Sequence, residues 1–149
     1  MAKKDNLQAE PCPVARALEV IGDRWALLIV RNAFDGMTRF GDFQKDLGIA
    51  KNILSDRLHK LVAQGVLEAV PAADGSAYQD YVLTAKGEAL FTIIVSLRQW
   101  GEEYLFDKNE ARSILVERQS GKAIPKMEPR SANGRKLNGG NTLVQKIDS

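Results

Sequence analysis

RFGDFQKDLGIAKNILSDRLHKLVAQGVLE, residues 39–68, contains two runs of helical periodicity separated by a very short corner. In the first run Phe40, Phe43 and Leu47 recur at three- and four-residue spacing, the stripe of a helix that buries one face, and Thr38 is its predicted N-cap. In the second, Leu54, Leu58, Leu61 and Val62 stand at i, i+4, i+7 and i+8, and Gly65 ends the helix. Leu47-Gly48-Ile49 makes the turn between them. Two helices joined by a tight glycine-containing turn form a helix-turn-helix pattern when the second is amphipathic, and here Lys51, Asn52, Ser55, Asp56 and His59 face away from the apolar stripe. The second helix of such a motif enters the major groove of DNA. Lys51, Asn52 and Ser55, on its first turn and a half, are therefore the side chains expected to reach base edges or phosphates; Asn can pair with adenine through two hydrogen bonds.

Beyond Gly65 the period becomes strand-like. VLEAV and YQDYVL, in which Tyr81 and Leu83 alternate with Asp80 and Val82, flank a PAADGSA loop centred on Asp74-Gly75, predicting a two-stranded hairpin where a winged helix carries its wing. Thr84 is then the predicted cap of one long helix carrying Leu90, Phe91, Ile94, Leu97, Gly101 and Tyr104 down to about Phe106. Upstream, Val14, Ala17, Leu18 and Ile21 mark a short helix with Pro13 in its first turn and Gly22 as its break. Asp23 caps a second helix whose Trp25, Leu27, Leu28, Val30 and Phe34 are apolar nearly all round, so it is predicted to be central. After Asp107 the composition turns to Gly, Asn, Lys and Arg, with apolar islands at 114–117 and 142–145 that could be strands and turn signals between them. The predicted fold is mainly α with a small β-hairpin. It comprises an N-terminal arm (1–11), a winged helix-turn-helix domain (12–106) and a basic, β-rich C-terminal appendage (107–149).

Composition narrows the function. Of 149 residues 44% are hydrophobic and 27% charged, as in an ordinary soluble domain. No window approaches the roughly 18 apolar residues of a membrane span, and MAKKDNLQAE has no secretory apolar run, so a cytoplasmic location is expected. One cysteine and one histidine make neither a disulfide framework nor a zinc-ligand set, and no metal or cofactor is expected. A thiol enzyme using Cys12 with His59 as base is opposed by their positions, one before the first helix and the other on the outer side of the fourth. The net charge of +2 is uneven. Residues 1–107 hold 12 Lys/Arg against 15 Asp/Glu, net −3, and residues 108–149 hold 9 against 4, net +5, so contact with a polyanion requires locally placed cations.

The words of the sequence go further than its topology. CPVARALEVIGDRW at the start, the helix-turn-helix stretch, and YVLTAKGEAL after the hairpin resemble the HxlR family of bacterial winged-helix transcription regulators, relatives of the MarR group. The resemblance implies a homodimer whose recognition helices enter successive major grooves of a near-palindromic operator. It implies a dimer contact through the first and last helices, by way of Val14, Leu18, Leu90, Ile94, Leu97 and Tyr104. A long helix whose apolar stripe outlasts the small domain behind it also needs a second surface to cover it. Arg39 matches the family's RF pair and is expected to point to backbone phosphate, with an ion pair to Asp35 or Asp42 as the alternative. Arg57, at the edge of the apolar stripe, could hold a phosphate or brace a neighbouring helix, and His59 could meet a groove edge or have no task. Two departures stand out: the wing lacks the family's arginines and holds Glu68, Asp74 and Asp80, and the tail lacks the cysteines of longer members.

Cys12 has two readings. At a helix N-terminus, one turn before Arg16, a thiol is biased toward thiolate, and several relatives use a cysteine here to sense oxidants or electrophiles. With no second cysteine in the chain, such a thiol would join Cys12 of another subunit, a small thiol or an adduct. The alternative is a small packed hydrophobe. Trp25, Trp100 and Tyr104 admit a site for a small aromatic effector, though aromatics at helical spacing usually build core. The expected function is a homodimeric, sequence-specific DNA-binding regulator, a repressor, responsive to oxidants through Cys12 or to such an effector. The alternative is a winged-helix protein-interaction module without DNA binding.

Overall fold

Asp23 starts the central helix by accepting hydrogen bonds on its carboxylate from the backbone N–H groups of Trp25 (2.7 Å) and Ala26 (3.3 Å), satisfying two donors that a helix start leaves free. In the computed structural model of the chain, which describes residues 7–147, this helix is α2, Arg24–Phe34. It is preceded by a 3-10 turn at Leu7–Ala9 and by α1, Pro13–Ile21, with Cys12 in the N-cap position. Of the predicted N-terminal arm, residues 1–6 lie outside the described residues. Helices α3 (Phe40–Leu47) and α4 (Lys51–Ala63) follow, then antiparallel strands β1 (Leu67–Pro71) and β2 (Gln79–Leu83), paired in register from Leu67 with Leu83 to Pro71 with Gln79. The core gathers Ile29 and Val30 of α2, Phe43 of α3, Ile49 of the turn, Leu54, Leu58 and Leu61 of α4, and Val66 and Leu67 at the hairpin base. The architecture is the predicted one, mainly α with a two-stranded wing.

Thr84 and Gly87 explain why the letters LT-x-x-G follow the wing. The Thr84 hydroxyl accepts from Gly87 N–H (3.0 Å) and lies in donor reach of the Gly65 and Val66 carbonyls, while Thr84 N–H donates to Val66 O (3.1 Å). A Cβ on Gly87 would fall 2.1 Å from that same Val66 carbonyl oxygen. The hairpin base and the chain that follows are thus welded backbone to backbone.

The weld also changes the last helix. One continuous helix from Thr84 to about Phe106 was expected, and the chain instead forms α5 (Ala85–Glu88) and α6 (Phe91–Tyr104). At the break Leu90 N–H bonds Gly87 O, three residues back, where a straight helix would reach four. The break falls two residues after Gly87, whose backbone packs against the Val66 carbonyl. Ile94, expected at a dimer contact, is only 7% exposed and belongs to the core, and Leu90 packs half-buried against that core.

Two compact units divide between Ile94 and Val95, within α6. In the second unit Gln99 of α6 donates to Pro125 O (3.0 Å) and accepts from Met127 N–H (2.8 Å). The expected strands at 114–117 and 142–145 do not form. Among the described residues the appendage has two single bridges, Val116 with Ala123 and Arg130 with Lys136, around turns at Gly121 (φ 71°) and Gly134 (φ 85°). The turn residues were legible, but apolar islands of three residues are too short to sustain a ladder.

Replacing Gly87 with Ala forces the hairpin base off α5. A loss of about 3 kcal/mol of unfolding free energy is expected, at the upper end of overpacking effects, measured by urea denaturation.

Candidate nucleic-acid interface

The corner of the helix-turn-helix is set by Gly48, which closes α3 in the left-handed region (φ 62°, ψ 28°) with its N–H on Gln44 O (2.9 Å). Ile49, next in the turn, is buried and pins the corner to the core. Helix α4 then buries Leu54, Leu58 and Leu61, which obliges Lys51, Asn52, Asp56, His59 and Lys60 to face solvent, with Ser55 half-buried at the edge. His59 donates from Nδ1 to the Ser55 carbonyl (2.7 Å), which fixes the ring along the helix. Asp56 pairs with Lys60 (3.2 Å) and Arg57 (2.7 Å), and the hydrogen bond from Lys60 is the main cause holding its carboxyl below the ordinary value.

Arg57 is a brace. Its guanidinium bonds Asp23 Oδ2 (3.0 Å) and Asp56 Oδ2 (2.7 Å), tying α4 to the cap of α2. The Asp23 carboxyl is lowered by that Arg57 hydrogen bond, and further by Trp25 N–H.

Arg39 occupies the N-cap position of α3 without a side-chain cap, and Thr38, expected to be the cap, turns its hydroxyl to Asp80 Oδ1 (3.3 Å). Neither Asp35 nor Asp42 is its ion-pair partner. Arg39 Nε bonds Asp80 Oδ1 (2.8 Å) and Nη2 bonds Asp74 Oδ2 (2.7 Å), both from the wing. Asp80, only 8% exposed, also accepts from Ala73 N–H (3.3 Å), and Tyr81 N–H donates to Thr38 O (2.8 Å). The acidic wing is thereby explained, since two of its three carboxylates hold the arginine that starts α3. Asp74 also accepts from Ser76 N–H (2.9 Å), and the Arg39 hydrogen bond is the main cause of a carboxyl far below the ordinary range. Between this clamp and the start of α4 runs an open groove lined by Arg39, Gln44, Lys51, Tyr78, Gln79 and Tyr81. Its wing residues were not foreseen, although a carboxylate at an inward strand position, as at Asp80, signals a cation waiting for it.

The remaining predicted residues lie elsewhere. Cys12 is half-buried, and Arg16, expected to influence the thiol, directs Nε to Glu10 O (2.6 Å). In the first unit Val14 and Leu18 of α1 are exposed, whereas Trp25 packs against the core. In the second unit Leu97, Trp100 and Tyr104 are exposed, the last two with ring centroids 5.6 Å apart.

The HxlR-like helix-turn-helix family model matches residues 20–109, more than half of the chain. The chain belongs to the HxlR family. An HTH-type transcriptional regulator of Mycobacterium tuberculosis is 49% identical over 92 residues, covering 62% of this chain; the chain spans 58% of that relative's length. The crystal structure of PA1607, named there as a candidate transcription factor, superposes with a TM-score of 0.89 at 53% identity, over 94% of this chain and 98% of that one. The redox regulator HypR in its reduced form matches with a TM-score of 0.57 at 29% identity, over 62% of this chain and 92% of its own. The HxlR match begins at Val20 and so leaves Cys12 outside it, but it takes in the clamp, the recognition helix and the weld.

Because Asp23 and Asp74 are held below their ordinary values in the folded chain, the stability they contribute is present above about pH 4 and is lost as pH falls through the lowered values. Equilibrium denaturation at pH 7 and pH 3 should show this loss. Asp23→Asn should reduce the difference, and Asp23→Ala should cost about 1 kcal/mol at pH 7 through the lost cap.

Proposed function

We propose that the chain is a homodimeric, sequence-specific DNA-binding transcriptional regulator, acting as a repressor on a near-palindromic operator in the cytoplasm. The observation that carries this is the outer face of α4, where Lys51 and Asn52 stand exposed on the first turn of a helix whose opposite face is fixed in the core. Asn52 and Ser55 suit base edges. Lys51 suits a phosphate, as does Arg39 at the start of α3, and His59 lies further along the same exposed face. Arg57, committed to two aspartates, serves by seating α4 and not by touching DNA. Homodimerisation is supported by the exposed Val14 and Leu18 on α1 and, separately, by Leu97 and Tyr104 on α6. Such a dimer would contact half-sites about one helical turn apart.

Signal sensing falls to Cys12 in this reading. Support comes from its place at the start of α1 beside the exposed Val14, and from the likeness to HypR, a redox regulator. Trp100 and Tyr104 line an open groove with Met127 and Lys126, the second place where a small aromatic effector would fit. The internal pairing of Arg39 favours one other reading, a protein-interaction module that has given up DNA.

DNA selection with the purified chain should yield an operator with two half-sites, and retention that is indifferent to sequence would sink the proposal. Lys51→Ala should weaken operator binding and reduce the salt slope by about 0.9 for the lost phosphate contact. Cys12→Ser should bind DNA normally yet lose the response to a quinone or mild oxidant; an unchanged response would leave Cys12 as packing alone.

A further inference from the structure

Arg39 is the cation best placed at the start of the helix-turn-helix, yet the folded chain satisfies it internally. Its two ion pairs differ in kind. Nε meets Asp80, which is nearly buried and also held by Thr38 Oγ1 and Ala73 N–H, so that contact belongs to the frame of the wing. Nη2 meets Asp74 at the exposed tip of the loop, next to Gly75 (φ 76°), where among the described residues the carboxylate's other hydrogen-bond partner is Ser76. A carboxylate oxygen 2.7 Å from a guanidinium N–H offers the same charge and the same acceptor geometry as a phosphate oxygen. The groove beside this pair is open and continues to Lys51.

We propose that Asp74 is a built-in phosphate mimic that sets the affinity of the interface: DNA binds by displacing Asp74 from Arg39 Nη2, while Asp80 keeps Nε and holds the arginine in place. This rests on the DNA-binding reading above. Asp74 then acts on DNA through Arg39 and is a positioning residue, not a contact. An acid at the wing tip becomes intelligible as a fixed competitor that lowers binding to every duplex and leaves sequence choice to α4. The charged groups around the exchange are Asp74 and Asp80 from the wing, Arg39 and Asp42 from the start of α3 and Lys51 from α4.

The test is a double-mutant cycle on operator DNA with the full chain. In Asp74→Asn the side-chain oxygen can still accept from Ser76 N–H, so the turn survives, while the oxygen that accepted from Arg39 is replaced by an uncharged NH2 group that cannot. Affinity should rise about three- to ten-fold at moderate salt, with the salt slope nearly unchanged, because Arg39 pairs with phosphate in both complexes and only the cost of displacing Asp74 is removed. In an Arg39→Gln background the same Asp74→Asn change should give no gain. A gain that persists there would show a general charge effect and overturn the proposal, and so would equal affinities of wild type and Asp74→Asn on a retained operator. If neither protein retains any duplex, the DNA-binding reading itself falls. Asp80→Asn should instead lower the unfolding midpoint, and an Asp80→Asn protein of normal stability with raised affinity would reverse the division of roles between the two aspartates.

Discussion

The burial of the Leu54, Leu58 and Leu61 stripe against Ile29 and Val30 of α2 is the constraint on which the rest depends. Each leucine taken fully out of water is worth about 1.5–3 kcal/mol, so the rotation of α4 about its own axis is not adjustable. Once that rotation is set, Lys51, Asn52 and His59 have only solvent to face. The Asp23 cap and the Arg57 brace then fix α4 along its length, by joining it to the point where α2 begins. The presented face of α4 is thus a by-product of how the opposite face packs.

Charge is distributed on the same principle. The first 107 residues carry a net −3, and several of their cations are spent inside the fold, Arg57 on Asp23 and Asp56, Arg39 on Asp74 and Asp80. A chain built to bind any polyanion would leave these free. On the outer face of α4, Lys51 stands exposed beside Asn52.

Much of this was legible in the sequence, and the limits are instructive. Helical periodicity located α2 to α4 because each buries one face in a single local core, and it located α1 although only Ile21 of that stripe is buried; the Asp74-Gly75 pair located the hairpin because left-handed backbone favours glycine. Periodicity could not see the break before α6, because Leu90 and Ile94 keep helical spacing across it. Nor could local reading assign Arg39, whose partners lie 35 and 41 residues further on and not one turn away. Apolar islands in the appendage signalled burial without supplying enough neighbours for strands. Lys51, Asn52 and His59 lie on the accessible face that amphipathicity predicts, whereas Ser55, predicted to share it, is half-buried at its edge.

The contact of Gly87 with Val66 also sets where this molecule can vary. With backbone pressed on backbone and the Thr84 hydroxyl tied to both sides, the foot of the hairpin has no slack for an inserted residue or a new side chain. The loop from Ala73 to Ala77 has no such neighbour crowding it, and a Cβ on Gly75 would meet nothing within 4 Å. Length and chemistry can therefore drift at the tip while the foot stays fixed. The loop can change in length or side chain while the foot of the hairpin and α4 stay as they are.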